Sequence, residues 1–220
     1  MSARENSNLD TYQALVSTFG SFLTVAIHTI LYERNIYPRT SFLTARKYNF
    51  PVRQNRHPDV CKWINDAVTQ VEAEMLKGSV ARVAVVIFSP EEEPLERFMF
   101  DVSAFPKVPI GEHLTQFENT EGEPPALPDL VDVEEQLRAC MMKLSFCGSK
   151  LGELPDDSSF TVCIELRDEG QPPIDVSLPS SQRGSDLGGV KTTPVRTVDA
   201  GRFLLELWIE EGKSKGRALG

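Results

Sequence analysis

Apolar residues recur at helical spacing from Tyr12 through Leu15, Val16, Phe19, Phe22, Leu23, Ala26, Ile27 and Ile30 to Leu31. That is one wide apolar face over about five turns, which predicts a long core helix. Ser7-Asn8-Leu9-Asp10 supplies a weak capping box at its start, and Tyr37-Pro38 forces an end near Asn35. A second helix is predicted from His57-Pro58-Asp59, with proline at the first helical position and an acid in the first turn. Its stripe runs Val60, Ile64, Ala67, Val68, Val71, Met75 and closes at Lys77-Gly78. Trp63 lies at the margin of that stripe, where a core position is the simpler reading. Val80–Phe88 is almost continuously apolar, as in a strand covered on both faces, and alternation over Leu95–Val102 predicts its antiparallel hairpin partner.

A third helix starts at Pro128-Asp129, with a stripe at Leu130, Val133, Leu137, Cys140, Met141, Leu144 and Leu151 and a stop at Gly148 or Gly152. Arg138, Met142 and Ser145 face away from it. Strands follow at Ser158–Arg167 and Arg202–Glu210, the second with Phe203, Leu205, Leu207 and Ile209 on one face and Leu204, Glu206 and Trp208 on the other. Trp208 is either covered by a helix or left as an exposed anchor for a protein partner. Between these strands, residues 168–202 hold no aromatic residue and are broken by Gly, Pro and Ser, a length unusual for a loop unless it is functional or disordered. The acidic, proline-rich residues 104–128 read as a flexible surface insertion. The predicted organisation is a disordered polar tail at 1–8, one domain over 9–211, and a small, basic, disordered tail at 212–220.

Charge and chemistry narrow the function. The 220 residues carry a net charge of −9, which opposes non-specific binding to DNA or anionic membrane. The acid lies mainly after residue 78, so the limit bears less on the N-terminal part, where Arg39, Arg46, Lys47, Arg53 and Arg56 form either a basic patch for an acidic partner or a solvated loop or edge strand. The uncharged stretch Thr11–Tyr32 carries too many polar residues along one side for a membrane span, and the polar N-terminus does not read as a signal peptide. Four cysteines occur without a C-x-x-C, consistent with buried free thiols. His28, His57 and His113 show no metal-ligand spacing, and Gly184, Gly188 and Gly189 lack the features of a phosphate loop. No cofactor or metal is expected. An enzymatic site assembled from Cys, His and Asp by folding is the minority alternative.

The order helix, helix, hairpin, helix, strand, long segment, strand resembles the HORMA domain. The resemblance sharpens at His28-Thr29-Ile30-Leu31-Tyr32 with Ile36-Tyr37-Pro38, at Lys47-Tyr48-Asn49 with Pro51-Val52, and at His57-Pro58. It continues at Val83–Ile87, at Glu135-Gln136-Leu137-Arg138-Ala139 with Lys143-Leu144-Ser145, at Phe160-Thr161-Val162 and at Leu207-Trp208-Ile209-Glu210-Glu211. These stretches are similar to the HORMA branch of non-catalytic accessory subunits of translesion DNA polymerase zeta. The resemblance implies an α+β fold, a central antiparallel sheet packed on three helices, with residues 168–202 as a "safety belt" around a peptide added as a strand. Fully extended, that segment could span about 110 Å, against a domain diameter of roughly 35–45 Å.

The resemblance also implies site roles. Trp63 and Tyr37, with Ile174, Val176 and Leu178 of the belt, would contact a short peptide of the polymerase catalytic subunit. Leu204, Glu206 and Trp208 would bind the deoxycytidyl-transferase scaffold of translesion synthesis. Arg138 and Lys143 would serve a HORMA–HORMA dimer. The belt lacks the aromatic residue expected over the ligand, for which Ile174, Val176 and Leu178 are the substitutes. The expectation is an adaptor in DNA damage tolerance, located in the nucleus with the cytoplasm as a second location, with neither nucleic acid nor membrane contacted directly. The alternative is a spindle-checkpoint or chromosome-axis HORMA adaptor with a different peptide.

Overall fold

The computed structural model describes residues 9–117, 130–167, 191–212 and 215. Helix α1 spans Tyr12–Glu33 and α2 spans Pro58–Leu76. Between them Phe42–Lys47 (β1) and Phe50–Asn55 (β2) form a separate two-stranded antiparallel ribbon. The main sheet contains Val80–Phe88 (β3), Pro94–Asp101 (β4), Ser159–Leu166 (β5), Lys191–Ala200 (β6) and Phe203–Glu211 (β7), and Leu130–Leu144 is α3. Its order is β5-β3-β4-β7-β6 and every pairing is antiparallel.

Alternation sets the layers. Val83, Val85, Ile87, Phe98, Phe100, Phe203, Leu205, Leu207 and Ile209 turn to one face and join the buried stripes of the three helices in a single core. Helix α1 is at its centre: Leu15, Phe19, Phe22, Leu23, Ala26, Ile27, Ile30 and Leu31 are wholly buried. It is long and apolar enough to cross a membrane by length and composition. Here its face is spent on the core, and the Thr24 and Thr29 hydroxyls donate back to the Gly20 and Val25 carbonyls. Its start differs from the expected box. Thr11 is the N-cap, its hydroxyl accepting from the Ala14 amide at 3.2 Å. The cap of α2 is His57, whose Nδ1 accepts from the Asp59 amide.

Four further expectations are corrected. Residues 191–200 are not loop but a strand, rich in β-branched residues and joined to β7 by the Gly201 turn at φ +65°. The ladder slips between Pro194 and Arg196, where proline has no amide to give, and β6 tolerates this because it is an edge. Residues 104–117 are anchored: Phe105 is buried against Phe19 and Phe203, and the Phe117 amide donates to the Asp10 carbonyl. Lys215, expected in a polar tail, is buried. Helix α3 also stops earlier than its stripe suggested, at Leu144. The short 3-10 turn Cys147–Ser149 then carries Leu151 into the core.

A buried charge cluster ties the edges of this architecture together. Glu96, 0% exposed, receives Arg34 Nε and Nη2 at 2.8 Å each and Lys215 Nζ at 2.5 Å. Arg34 also donates to the Gly152 carbonyl at 2.6 Å, and Lys215 reaches Glu211 at 2.9 Å. The end of α1, the first residues of β4, the chain after α3 and the chain after β7 therefore meet at one carboxylate.

Candidate functional site

The sheet has two edges, β5 and β6. Among the described residues β5 pairs only with β3, so its outer row of backbone amides and carbonyls has no strand against it. An aromatic floor lies beside that edge. Trp63 stands edge-on to Phe160 with ring centroids 5.0 Å apart, and Tyr37 does the same from the other side at 6.3 Å. Trp63 is 42% exposed, so the simple reading as a core residue is wrong. Ile64, Val68, Val71 and Met75 complete the buried stripe without it, and its indole turns toward β5. A cavity of about 290 Å³ opens here, lined by Ile36, Tyr37, Val60, Trp63, Ser158 and Phe160 among others.

Two elements build that floor. Tyr37 precedes Pro38, which holds it extended after the α1 C-terminus, where Asn35 takes φ 54°. Val60 and Trp63 sit three apart, on one side of α2. Phe160 was legible only as a strand residue. Its contact with Trp63 is a long-range pairing that local pattern does not encode. Burial raises the Tyr37 phenol above its ordinary value, so it is a hydrogen-bonding neutral group and not a base. Ile174, Val176 and Leu178, predicted to cover this groove, lie outside the described residues.

The second surface is the sheet face away from the helices. Ala84, Val86 and Met99 form a small buried cluster there, with Phe88, Cys163 and Trp208 packed against it. Among the described residues no helix covers Trp208. It is half-buried on its own sheet, opposite Met99, and its Nε1 donates to Glu210 Oε1 at 2.9 Å. Arg82 approaches the ring at 6.0 Å while bridging Asp101 at 2.8 Å and Glu165 at 3.0 Å. Burial works against the Asp101 carboxylate, but hydrogen bonds from Ser103 and Arg82 outweigh it and hold its pKa low. Glu206 is exposed, Leu204 half-buried, and Glu210 Oε2 is buried without a partner. The predicted trio Leu204, Glu206 and Trp208 therefore shares one face of β7.

On α3, Arg138 is half-exposed and pairs with Glu135 at 3.2 Å, one turn away. Lys143 has a different task, donating to the Val195 carbonyl at 2.6 Å at the β6 bulge. It fastens the hairpin to the helix.

Catalytic geometry is lacking among the described residues. No three His, Cys, Asp or Glu side chains converge on a metal-sized site. His28 accepts from the Asn55 amide at 3.3 Å, and burial pushes its pKa down to about 4. Burial pushes the Cys140 and Cys147 thiols up to about 12 and Cys163 up to about 11, far from a reactive thiolate at neutral pH.

A helix-backed antiparallel sheet with an open edge, an aromatic floor beside it and a long C-terminal connection is the architecture of a HORMA domain. The HORMA domain profile matches residues 15–199, and the chain belongs to that family. Among its relatives, the Schizosaccharomyces pombe "DNA polymerase zeta processivity subunit" is 33% identical over 215 residues, covering 94% of this chain and 97% of that one. The Homo sapiens "Mitotic spindle assembly checkpoint protein MAD2B" is 28% identical over 224 residues, covering 98% of this chain and 100% of that one. Among solved structures, a chain of the mitotic checkpoint complex superposes with a TM-score of 0.67 at 19% identity, covering 90% of this chain and 98% of that one. C. elegans HTP-2 bound to a HIM-3 closure motif gives 0.63 at 13% identity, covering 93% of each chain.

Proposed function

We propose that this protein is a non-enzymatic nuclear adaptor of translesion synthesis. It holds a short extended peptide of the polymerase zeta catalytic subunit along the open edge of β5 and offers the outer face of β7 to the deoxycytidyl-transferase scaffold. The observation that carries the reading is the β5 edge, unpaired among the described residues, beside Trp63, Tyr37 and Phe160. Strand addition there supplies main-chain hydrogen bonds, while the cavity of about 290 Å³ takes one or two apolar side chains of the peptide. The name of the fission yeast relative supplies the polymerase context.

The C-terminal connection suits a strap. The chain leaves β5 after Leu166, beside Val80 at the start of β3, and re-enters β6 at Lys191, beside Glu211 at the far end of the sheet. Residues 168–190 could reach roughly 75 Å when extended, against roughly 30 Å for the diagonal of a five-stranded sheet. A strap of this kind slows release more than capture.

Co-purification of the full chain with fragments of the catalytic subunit tests the proposal; a folded protein that retains no fragment sinks it. Trp63→Ala should weaken peptide binding at least tenfold and leave the scaffold bound, and Trp208→Ala should do the reverse. Equal loss of both partners in either variant would refute the division of surfaces. The second reading, a checkpoint or chromosome-axis adaptor, draws on the solved relatives bound to closure motifs. It is favoured if a peptide from such a partner raises the melting temperature and the polymerase peptide does not.

A further inference from the structure

From Arg34 to Pro58 the chain contains no Asp or Glu, while Arg34, Arg39, Arg46, Lys47, Arg53 and Arg56 are cationic. Arg34 is consumed inside by Glu96. The other five belong to the β1–β2 ribbon and its flanks, and none makes an ion pair with a carboxylate among the described residues. Each arginine is instead held by a neutral oxygen. Arg39 Nε donates to Asn35 Oδ1 at 2.9 Å, Arg46 to Asn49 Oδ1 at 2.5 Å, Arg53 to Thr44 Oγ1 at 2.7 Å, and Arg56 to the Thr40 carbonyl at 2.8 Å. Arg39 and Arg53 both lie over the Tyr32 ring, at 4.8 and 4.7 Å, and Lys47 lies 5.3 Å from the Tyr48 ring. Elsewhere on the surface Lys77, Arg82, Arg138 and Lys191 each sit on a carboxylate.

The geometry points to a nucleic-acid backbone as the ligand of this ribbon, contacted through Arg39, Arg46, Lys47, Arg53 and Arg56. A guanidinium fixed by a neutral partner keeps its full charge and most of its donors, and has already given up rotamer freedom, so it engages phosphate at reduced entropic cost. Two-stranded ribbons fit the DNA major groove, which is about 12 Å wide. A folded protein partner is the poorer match. The ribbon's exposed surface offers Leu43 as its one large apolar side chain, too little for the desolvated centre of a protein interface.

The acids near the patch are few. Glu33 at the end of α1 interacts with Arg39, Arg53 and Arg34, although burial raises its carboxyl pKa above the ordinary value. Glu134 of α3 faces the Tyr48 side of the turn, and Asp59 sits 3.8 Å from His57. The remaining acid excess lies on other elements and is screened over about 8 Å at physiological salt. The inference departs from the expectation that net charge sets against DNA contact, and it stands whether or not β5 holds a polymerase peptide.

Fluorescence anisotropy of the full chain with labelled duplex and single-stranded DNA, from 50 to 200 mM salt, tests it. Five phosphate contacts predict a log–log salt slope of about −4.5 and a loss of affinity of about 500-fold across that range. Arg46→Glu/Lys47→Glu/Arg56→Glu should reduce DNA affinity more than tenfold with an unchanged melting temperature, while the control Lys150→Glu should bind as the parent does. These three residues are exposed, and only Lys47 touches a buried side chain, the Tyr48 ring, through the outer end of its own, so the melting temperature reads whether the variant folds. Parent protein that fails to bind either DNA at 50 mM salt overturns the inference, as does a triple variant that binds as well as the parent. Displacement of the DNA by a polyglutamate peptide at equal charge concentration would also overturn it, reassigning the ribbon to an acidic protein.

Discussion

Replacing Arg34 by methionine should destabilise the domain more than any other single change at its polar positions. Arg34 is buried and makes three hydrogen bonds, two to the fully buried Glu96 and one to the Gly152 carbonyl. Methionine fills much of the volume, so packing changes little and the loss is electrostatic. Removing one partner of a buried pair typically costs 3–5 kcal/mol, because the other is left charged and poorly solvated. Lys215 still reaches Glu96 Oε1, which places the expected cost at the lower end, about 3 kcal/mol. For a domain of this size that is a fall in melting temperature of roughly 6–12 °C. Lys215→Met leaves the bidentate arginine in place and should cost only about 1.5–3 kcal/mol. Removing both charges in Arg34→Met/Glu96→Met should recover much of the single-variant loss, since an apolar replacement of a buried pair is often close to neutral. Urea midpoints of the parent, Arg34→Met, Glu96→Met and the double variant, with m-values shown to be equal, give the coupling directly. A single-variant cost below about 1 kcal/mol would refute the reasoning, as would a double variant as unstable as the sum of its parts.

Other outcomes follow from buried groups. His28 has a folded pKa of about 4 against an ordinary 6.5, so the unfolded chain takes up the proton first as pH falls. Stability should therefore drop between about pH 6.5 and pH 4, by up to about 3 kcal/mol from this residue; His28→Asn should flatten that part of the curve, and a parallel curve would refute the assignment. Gly148→Ala should cost about 1–3 kcal/mol, because a Cβ there would meet the Glu33 carbonyl oxygen at 2.8 Å. Gly152→Ala, whose nearest obstacle is Lys215 Cε at 3.9 Å, should be within about 0.5 kcal/mol of the parent by thermal melting. Iodoacetamide at pH 8 should reach Cys140 and Cys147 only on unfolding, as their buried thiols remain protonated; labelling of the native protein at either would contradict this.

The parts of the fold legible in sequence are those where burial imposes a period. The stripes of α1, α2 and α3 and the alternation of β4, β5 and β7 all occur at the expected positions. β6 was hidden because Pro194 and the glycines before it read as loop, whereas its stability comes from Val195 and Val198 packing inward and from the ladder with β7. Phe105 was hidden by the acidic, proline-rich company it keeps. At the candidate site, Trp63 and Tyr37 could be named only through family resemblance, because periodicity places Trp63 at the margin of a core stripe. Phe160, which brings both together, is distant in sequence from each. Arg34, Glu96 and Lys215 left no local signal at all. A buried ion cluster is visible only once four remote segments converge.

The position of β7 has a consequence for how the protein is made. β7 is the last of the described strands in sequence, yet it lies inside the sheet, between β4 and β6. Until residues 203–211 have left the ribosome, β4 has one bare edge and β6 has no strand to pair with. Phe98 and Phe100 are then backed by a sheet missing two of its five strands. The nascent chain therefore carries an adhesive strand edge until β7 emerges. Transcripts truncated within β7 should yield a chaperone client, and the domain closes its sheet only once residues 203–211 are free to pair.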